Sequence, residues 1–188
     1  MTKAALRELY RNKRMALSPG ELERMSEVIV EQTLKHFQLE EKTISVFLPI
    51  ERQKEVNTYL LWERATNIGA RVAVPKSNFE TLEMRHYLFE STDQLEVNEK
   101  GIPEPKKGKV IAADRFDIVF VPLLAVDKNG HRVGYGKGFY DRFLRKCAPS
   151  CQFIGLHYFD VEEAIEDVLP TDVKLNALVT PEKIIRFE

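Results

Sequence analysis

The sequence predicts an α/β protein, a single domain in three α/β/α layers around a mainly parallel central sheet. Three observations predict it. Short β-rich runs alternate repeatedly with amphipathic stretches of helical period, the arrangement in which crossover helices cover both faces of parallel strands. The runs are brief and apolar, as buried strands are, and three of them meet a proline (Pro49, Pro75 and Pro122), where a ladder donor is lost. A chain of 188 residues with 44% hydrophobic content suits one domain with a substantial core, and no repeat, low-complexity tract or linker interrupts it.

In chain order, Lys3 to Leu17 has the period of an amphipathic helix, with Leu6, Leu9, Tyr10 and Leu17 near one face. Lys3, Arg7, Arg11 and Arg14 follow at i, i+4, i+4 and i+3 along another face, and a charged stripe of this kind is ordinarily solvated surface. Ser18, Pro19 and Glu21 spell a capping box with proline at the first helical position, so a second helix is expected to about Phe37, with Leu22, Met25 and Ile29 inward. Thr43 to Leu48 is a buried strand stopped by Pro49, and a loop from Ile50 leads to Asn57, which can cap a helix that stops at Gly69. Arg71 to Val74 is the next strand, closed by Pro75, and Met84 to Phe89 another, of less certain direction. The polar segment Ser91 to Ala113 is expected to be a long surface loop, of a length and composition compatible with a lid, which the sequence alone leaves open. Asp117 to Val121 is the clearest central strand. A helix from Phe139 to Cys147, a strand from Gln152 to Tyr158, a short helix from Val161 to Val168, a last parallel strand from Ala177 to Thr180 and a short extension from Ile184 to Phe187 complete the pattern.

Composition excludes several partners. The 28 basic and 29 acidic residues nearly cancel, so no global field draws the chain to nucleic acid or to an anionic membrane. The first residues lack the apolar run of a signal peptide and no later stretch is long enough to span a bilayer, so a cytoplasmic protein is expected, and a monomer. Cys147 and Cys151 are too few for a structural zinc site and are expected as free thiols in a reducing compartment. His36, His86, His131 and His157 are each explained by surface or sheet packing.

One stretch organises the chain: Arg132, then Val133-Gly134-Tyr135-Gly136-Lys137-Gly138-Phe139-Tyr140-Asp141. Glycines at alternate positions free the backbone for turns that bring successive N–H groups onto one anion. Arg132 and Lys137 add charge, a helix starting near Gly138 adds its dipole, and Asp141 in its first turn can hold a divalent cation beside phosphates. A bare tight turn with Asp141 complementing the dipole is the plainer alternative. The spacing is not that of a Walker A loop. A dinucleotide fingerprint, suggested by Asp160 about 20 residues on, is opposed by the Gly-x-Gly-x-Gly spacing and by the distance of the glycines from the preceding strand.

Val121 to Asp127 (Val-Pro-Leu-Leu-Ala-Val-Asp) followed by Gly130 to Leu144 closely resembles the signature of the 5-formyltetrahydrofolate cyclo-ligase family, also called methenyltetrahydrofolate synthetase. Similar motifs run the length of the chain: Lys3 to Arg7, Glu55 to Thr58, Gly101 to Pro105 and Leu169 to Leu175. The resemblance implies ATP- and magnesium-dependent closure of 5-formyltetrahydrofolate, with or without a polyglutamate tail, to 5,10-methenyltetrahydrofolate. In that chemistry the formyl oxygen takes the γ-phosphoryl group, the N-10 nitrogen attacks the activated carbon, and phosphate leaves. The resemblance assigns Lys3, Arg7, Arg132, Val133, Gly134, Tyr135, Gly136, Lys137, Gly138, Phe139 and Tyr140 to ATP, with Lys137, Arg132 and Tyr140 at the chemistry. By the same resemblance Asp141 and Asp172 form the magnesium pair, and Ile50 and Glu55 bind folate. Arg11 and Arg14 stay with the solvated surface.

The chain departs from the family pattern at Leu123, where glycine is usual, at Val126, where an aromatic is usual, and at Thr171. Those departures motivate one alternative, a non-catalytic nucleotide- or folate-binding protein. Asp160 motivates another, a nicotinamide-dependent oxidoreductase.

Overall fold

The computed structural model describes residues 1–188, and its elements follow the predicted alternation. They are helices α1 (Lys3–Met15) and α2 (Pro19–His36), strand β1 (Thr43–Ser45), helix α3 (Tyr59–Asn67), strands β2 (Arg71–Asn78), β3 (Glu83–Leu88), β4 (Leu95–Val97), β5 (Pro103–Pro105), β6 (Val110–Ile111), β7 (Ile118–Pro122), β8 (Ala125–Val126) and β9 (Arg132–Val133), helix α4 (Phe139–Leu144), and strands β10 (Gln152–Leu156), β11 (Ala177–Val179) and β12 (Ile184–Arg186). Eight strands form one sheet in the order β12-β11-β10-β7-β1-β2-β3-β6. The five strands from β11 to β2 are parallel; β12 and β3 run opposite to them, and β6 pairs antiparallel with β3 at the far edge.

Alternation along the strands builds the layers. In β7, Ile118 and Phe120 join the core under α2 and α3, while Val119 and Val121 join Phe143 and Leu144 of α4 on the opposite face. Helix α1 packs separately, through Leu6 and Tyr10, on Ala125 and Val133 of the β8–β9 ribbon. The capping box forms as predicted: Ser18 Oγ accepts from the Glu21 N–H at 3.3 Å, and the Glu21 carboxylate accepts from the Ser18 N–H at 2.8 Å.

Several expected elements come out differently, each for a local reason. Strand β2 runs through Pro75 to Asn78, because β1 stops pairing at Ala73 and the proline's missing donor faces no ladder. Strand β1 is shorter than its apolar run, since the Phe47 carbonyl is taken by the buried Thr58 hydroxyl. Thr58 stands at the cap position of α3 without a side-chain cap bond, while Asn57 Oδ1 accepts from the Tyr59 N–H at 3.3 Å. The Ser91–Ala113 segment is not a plain loop: it carries a β4–β5 hairpin and strand β6 on the sheet edge. Lys76 holds that hairpin to β2 through Glu96 at 3.4 Å and Glu104 at 3.3 Å. Residues 161–168 form no helix. Their backbone bonds outward instead, Glu162 N–H to the Val126 carbonyl at 2.8 Å and Ile165 N–H to the buried Asp127 carboxylate at 3.1 Å. Helix α4 ends at Leu144 and tightens to three-residue bonds through Cys147.

His86 is fully buried, stacked on Phe143 at 4.1 Å and edge-on to Phe116, and neither ring nitrogen has a partner. Burial lowers it from 6.5 to about 3, and His157, equally buried and unpartnered, is also held well below its ordinary value, first by burial and then by the charges of Arg14 and Lys13. Below pH 6.5 the unfolded chain takes up these protons while the folded protein does not. Stability is therefore complete at neutral pH and falls on acidification, by up to about 1.4 kcal/mol per pH unit for each ring. Urea unfolding from pH 7 to pH 5 should show this slope. His86→Phe should reduce it by about one proton; an unchanged slope would mean that His86 is not the linked group.

Candidate functional site

A cleft of about 1110 Å³ opens at the carboxyl ends of β1, β2 and β7. Among the parallel strands the chain turns one way from β1 to β2 and then resumes on β1's other side with β7, and ligands of open α/β sheets bind at such a switch in strand order. The loop after β1 with Ile50 and Glu55, the segment from β7 to the glycine loop, and α1 meet there, with the β2–β3 turn, the β4–β5 hairpin and the segment 167–172 completing the rim.

The glycine loop forms one wall. Gly136 (φ +94°) and Gly138 (φ +69°) take left-handed backbone that a Cβ resists, whereas Gly134 does not. None of the amide N–H groups from Gly134 to Gly138 donates to another group of the protein, so all five remain available to an anion. Charge surrounds them. Arg7 lies over Gly136 and donates Nε–H to the Gly134 carbonyl at 2.9 Å, and the Lys137 side chain lines the cleft exposed and without an ion-pair partner. Arg132 is buried and already engaged, donating to the Asp141 carboxylate at 2.8 Å and to the Val173 carbonyl. Val133 is wholly buried and, alone of the loop residues assigned to the nucleotide, does not line the cleft. Phe139 sits edge-on to Phe79 of the β2–β3 turn at 5.0 Å, closing the loop's outer side.

The two predicted metal ligands line this cleft. Asp141 Oδ1 accepts from Arg132 and from the Val173 N–H at 2.9 Å, and its Oδ2 accepts no hydrogen bond. Asp172 Oδ2 accepts from Lys3 and from the Leu169 N–H at 2.7 Å, and its Oδ1 is free. Burial alone would raise the Asp172 carboxyl, but the Lys3 and Leu169 bonds outweigh it and hold it lowered. No three acidic, histidine or cysteine side chains gather into a protein-only cage. Two carboxylates with one free oxygen each suit magnesium, which is ordinarily held by one or two carboxylates together with phosphate oxygens. Lys3 lines the cleft as well, paired there with Asp172.

Glu55 forms the far end. It is 7% exposed; Oε2 accepts from the Ile50 N–H at 2.7 Å and Oε1 from the Tyr135 hydroxyl at 2.5 Å. Burial pushes its carboxyl up, against those two hydrogen bonds and the charge of Arg14. Each oxygen keeps a second acceptor position. Burial and the Glu55 charge likewise push the Tyr135 and Tyr140 hydroxyls up, so both are protonated donors at neutral pH.

Arg14 corrects the expectation of a solvated stripe. It is 2% exposed and donates to the Tyr135 hydroxyl at 2.9 Å and to the Leu123 carbonyl. The signal was present in the spacing: Leu6, Tyr10 and Arg14 recur every four residues on the buried face. Arg11 is exposed but also lines the cleft, as do Arg142, Arg145 and Lys100, none of which had been singled out. Leu123 and Val126 are fully buried in the core beneath α4 and do not line the cleft. Asp160 lies outside it too, paired at the surface with Lys183 at 2.7 Å.

Residues 1–181 match the sequence model of the 5-formyltetrahydrofolate cyclo-ligase family. The probable 5-formyltetrahydrofolate cyclo-ligase of Schizosaccharomyces pombe is 33% identical over 77% of this chain and 78% of its own. The 5-formyltetrahydrofolate cyclo-ligase of Escherichia coli is 29% identical over 94% of this chain and 98% of its own. The solved structure of Aquifex aeolicus 5,10-methenyltetrahydrofolate synthetase superposes with a TM-score of 0.83 at 30% identity, covering 100% of this chain and 94% of that one.

Proposed function

This chain belongs to the 5-formyltetrahydrofolate cyclo-ligase family, a family of enzymes, and from that premise we propose that it closes 5-formyltetrahydrofolate to 5,10-methenyltetrahydrofolate at the expense of ATP. One observation carries the reading: the loop from Gly134 to Gly138, whose five N–H groups donate to no protein group, and Glu55 line the same cleft. The first suits a triphosphate and the second suits the paired N–H donors of a pterin ring, for which a carboxylate is a good acceptor. Ile50 fixes Glu55 through its N–H and forms the adjoining wall.

In this proposal the loop N–H groups and Arg7 grip the phosphates. Lys137, free to move, follows the γ-phosphoryl group to the formyl oxygen, while Arg132, fixed by Asp141, supplies charge from a set position. Phosphorylation makes that oxygen a leaving group; the N-10 nitrogen then attacks the formyl carbon, and the carbon–oxygen bond breaks with release of phosphate. Asp141 and Asp172 would hold magnesium, which would supply neutralising charge to the phosphate oxygens there. Tyr140, a protonated donor on the cleft wall, orients the reacting formyl group. Catalysis here is positioning and charge neutralisation, as is general for phosphoryl transfer. The charged rim accommodates a substrate with or without a polyglutamate tail. No helix is long and apolar enough to cross a membrane and both cysteines are free, which supports a cytoplasmic site of action.

Growth of the near-ultraviolet band of 5,10-methenyltetrahydrofolate tests the reading, with 5-formyltetrahydrofolate, magnesium and ATP each omitted in turn. The band should grow only in the complete mixture. A flat trace from folded, ATP-binding protein would favour a non-catalytic binding protein, although Leu123 and Val126, which suggested it, lie away from the cleft.

A further inference from the structure

We propose that Arg14 is a positioning residue of the folate end of the cleft, acting through the Tyr135 hydroxyl to aim the Glu55 carboxylate at the substrate. This rests on the reading of Glu55 as the folate acceptor. Arg14 stands in the last turn of α1, 2% exposed. A buried guanidinium costs several kcal/mol unless paired, yet this one touches no carboxylate. It donates to the Leu123 carbonyl after β7, to the Gln53 carbonyl after β1 at 3.4 Å and to the Tyr135 hydroxyl at 2.9 Å, while its Nε has no partner. The nearest negative charge in the network is Glu55, one hydroxyl away.

That hydroxyl has a single proton. Because it accepts from Arg14, its own proton is committed to Glu55 Oε1, at 2.5 Å. The order cation, hydroxyl, carboxylate fixes the direction of every bond, and the Ile50 N–H holds the other oxygen at 2.7 Å. The carboxylate is left with one acceptor position on each oxygen, in a set plane. Tyr135 has a second attachment: its backbone belongs to the glycine loop. A residue in the nucleotide wall thus sets the acid of the folate wall, and Arg14 locks it there. If the guanidinium served only to tie α1 to the sheet, an apolar side chain of similar length would cost stability by leaving the Leu123 and Gln53 carbonyls without a donor, but would leave folate binding as it is. An apolar side chain cannot orient the Tyr135 proton.

The test is steady-state kinetics with thermal unfolding for Arg14→Met, Tyr135→Phe and the double variant. Arg14→Met should stay folded, with KM for 5-formyltetrahydrofolate raised about tenfold or more, the loss expected of one hydrogen bond to a charged group, and KM for ATP changed far less. Tyr135→Phe keeps the loop backbone and should give the same split. The double variant should be no worse than the poorer single, because the two side chains act in series. Folded Arg14→Met with KM for the folate within twofold of wild type would overturn the inference, as would effects that multiply in the double variant. If Arg14→Met does not fold, Tyr135→Phe decides alone, and an unchanged folate KM overturns it. Absence of turnover in the wild type would instead overturn the reading of the site itself, and this inference with it.

Discussion

Lys137→Ala lowers kcat by about two to three orders of magnitude and leaves stability within about 0.5 kcal/mol of wild type. Removing one stabiliser of developing charge has the first effect; altering an exposed side chain with no hydrogen-bond or ion-pair partner has the second. The first half follows from the proposed role of Lys137, the second from its exposed side chain, which lines the cleft without an ion-pair partner. Because the ammonium belongs to the moving phosphoryl group more than to bound ATP, KM for ATP should change much less than kcat. Kinetics and thermal unfolding on the same preparation check the prediction. Near-normal turnover would remove Lys137 from the chemistry.

Asp141→Asn should be as severe for activity and should differ in stability. The carboxylate has two duties: Oδ1 receives the Arg132 guanidinium and the Val173 N–H, and Oδ2 is free for a cation. An amide keeps an oxygen for Val173 but brings no charge to Arg132, whose side chain is 5% exposed. Leaving that buried cation short of its partner costs about 1 to 3 kcal/mol. Loss of the anionic ligand should lower turnover about a thousandfold and raise the magnesium concentration needed for half-maximal rate. Lys137→Ala loses rate alone, whereas Asp141→Asn loses rate, metal affinity and stability together. An Asp141→Asn protein with wild-type magnesium dependence would remove Asp141 from the metal site.

Much of this was legible before any coordinates. Alternating periods gave the parallel sheet, and the glycine spacing located a loop that lines the cleft, because both depend on neighbours in sequence. What escaped depends on neighbours in space. Pro75 stops a strand only where a ladder continues on its N–H side, and β1 ends two residues too soon for that. Residues 161–168 carry helical spacing, but the buried Asp127 carboxylate and the Val126 carbonyl claim their N–H groups. Arg14 was set aside with a charged stripe although it keeps step with Leu6 and Tyr10. A cation on an apolar face was the signal, and its meaning required Tyr135 and Glu55, brought to it from 121 residues along the chain in one case. Glu55 itself had only a resemblance to recommend it, since an acid after a strand is ordinarily solvated.

The central claim is that one cleft couples ATP cleavage to folate ring closure. Its most direct test is the ratio of ADP released to 5,10-methenyltetrahydrofolate formed, followed over many turnovers in a single mixture. The account predicts one ADP for each methenyl product, with no ADP above background when the folate is omitted. ADP release that does not depend on the folate, or product formed without ADP, would contradict it.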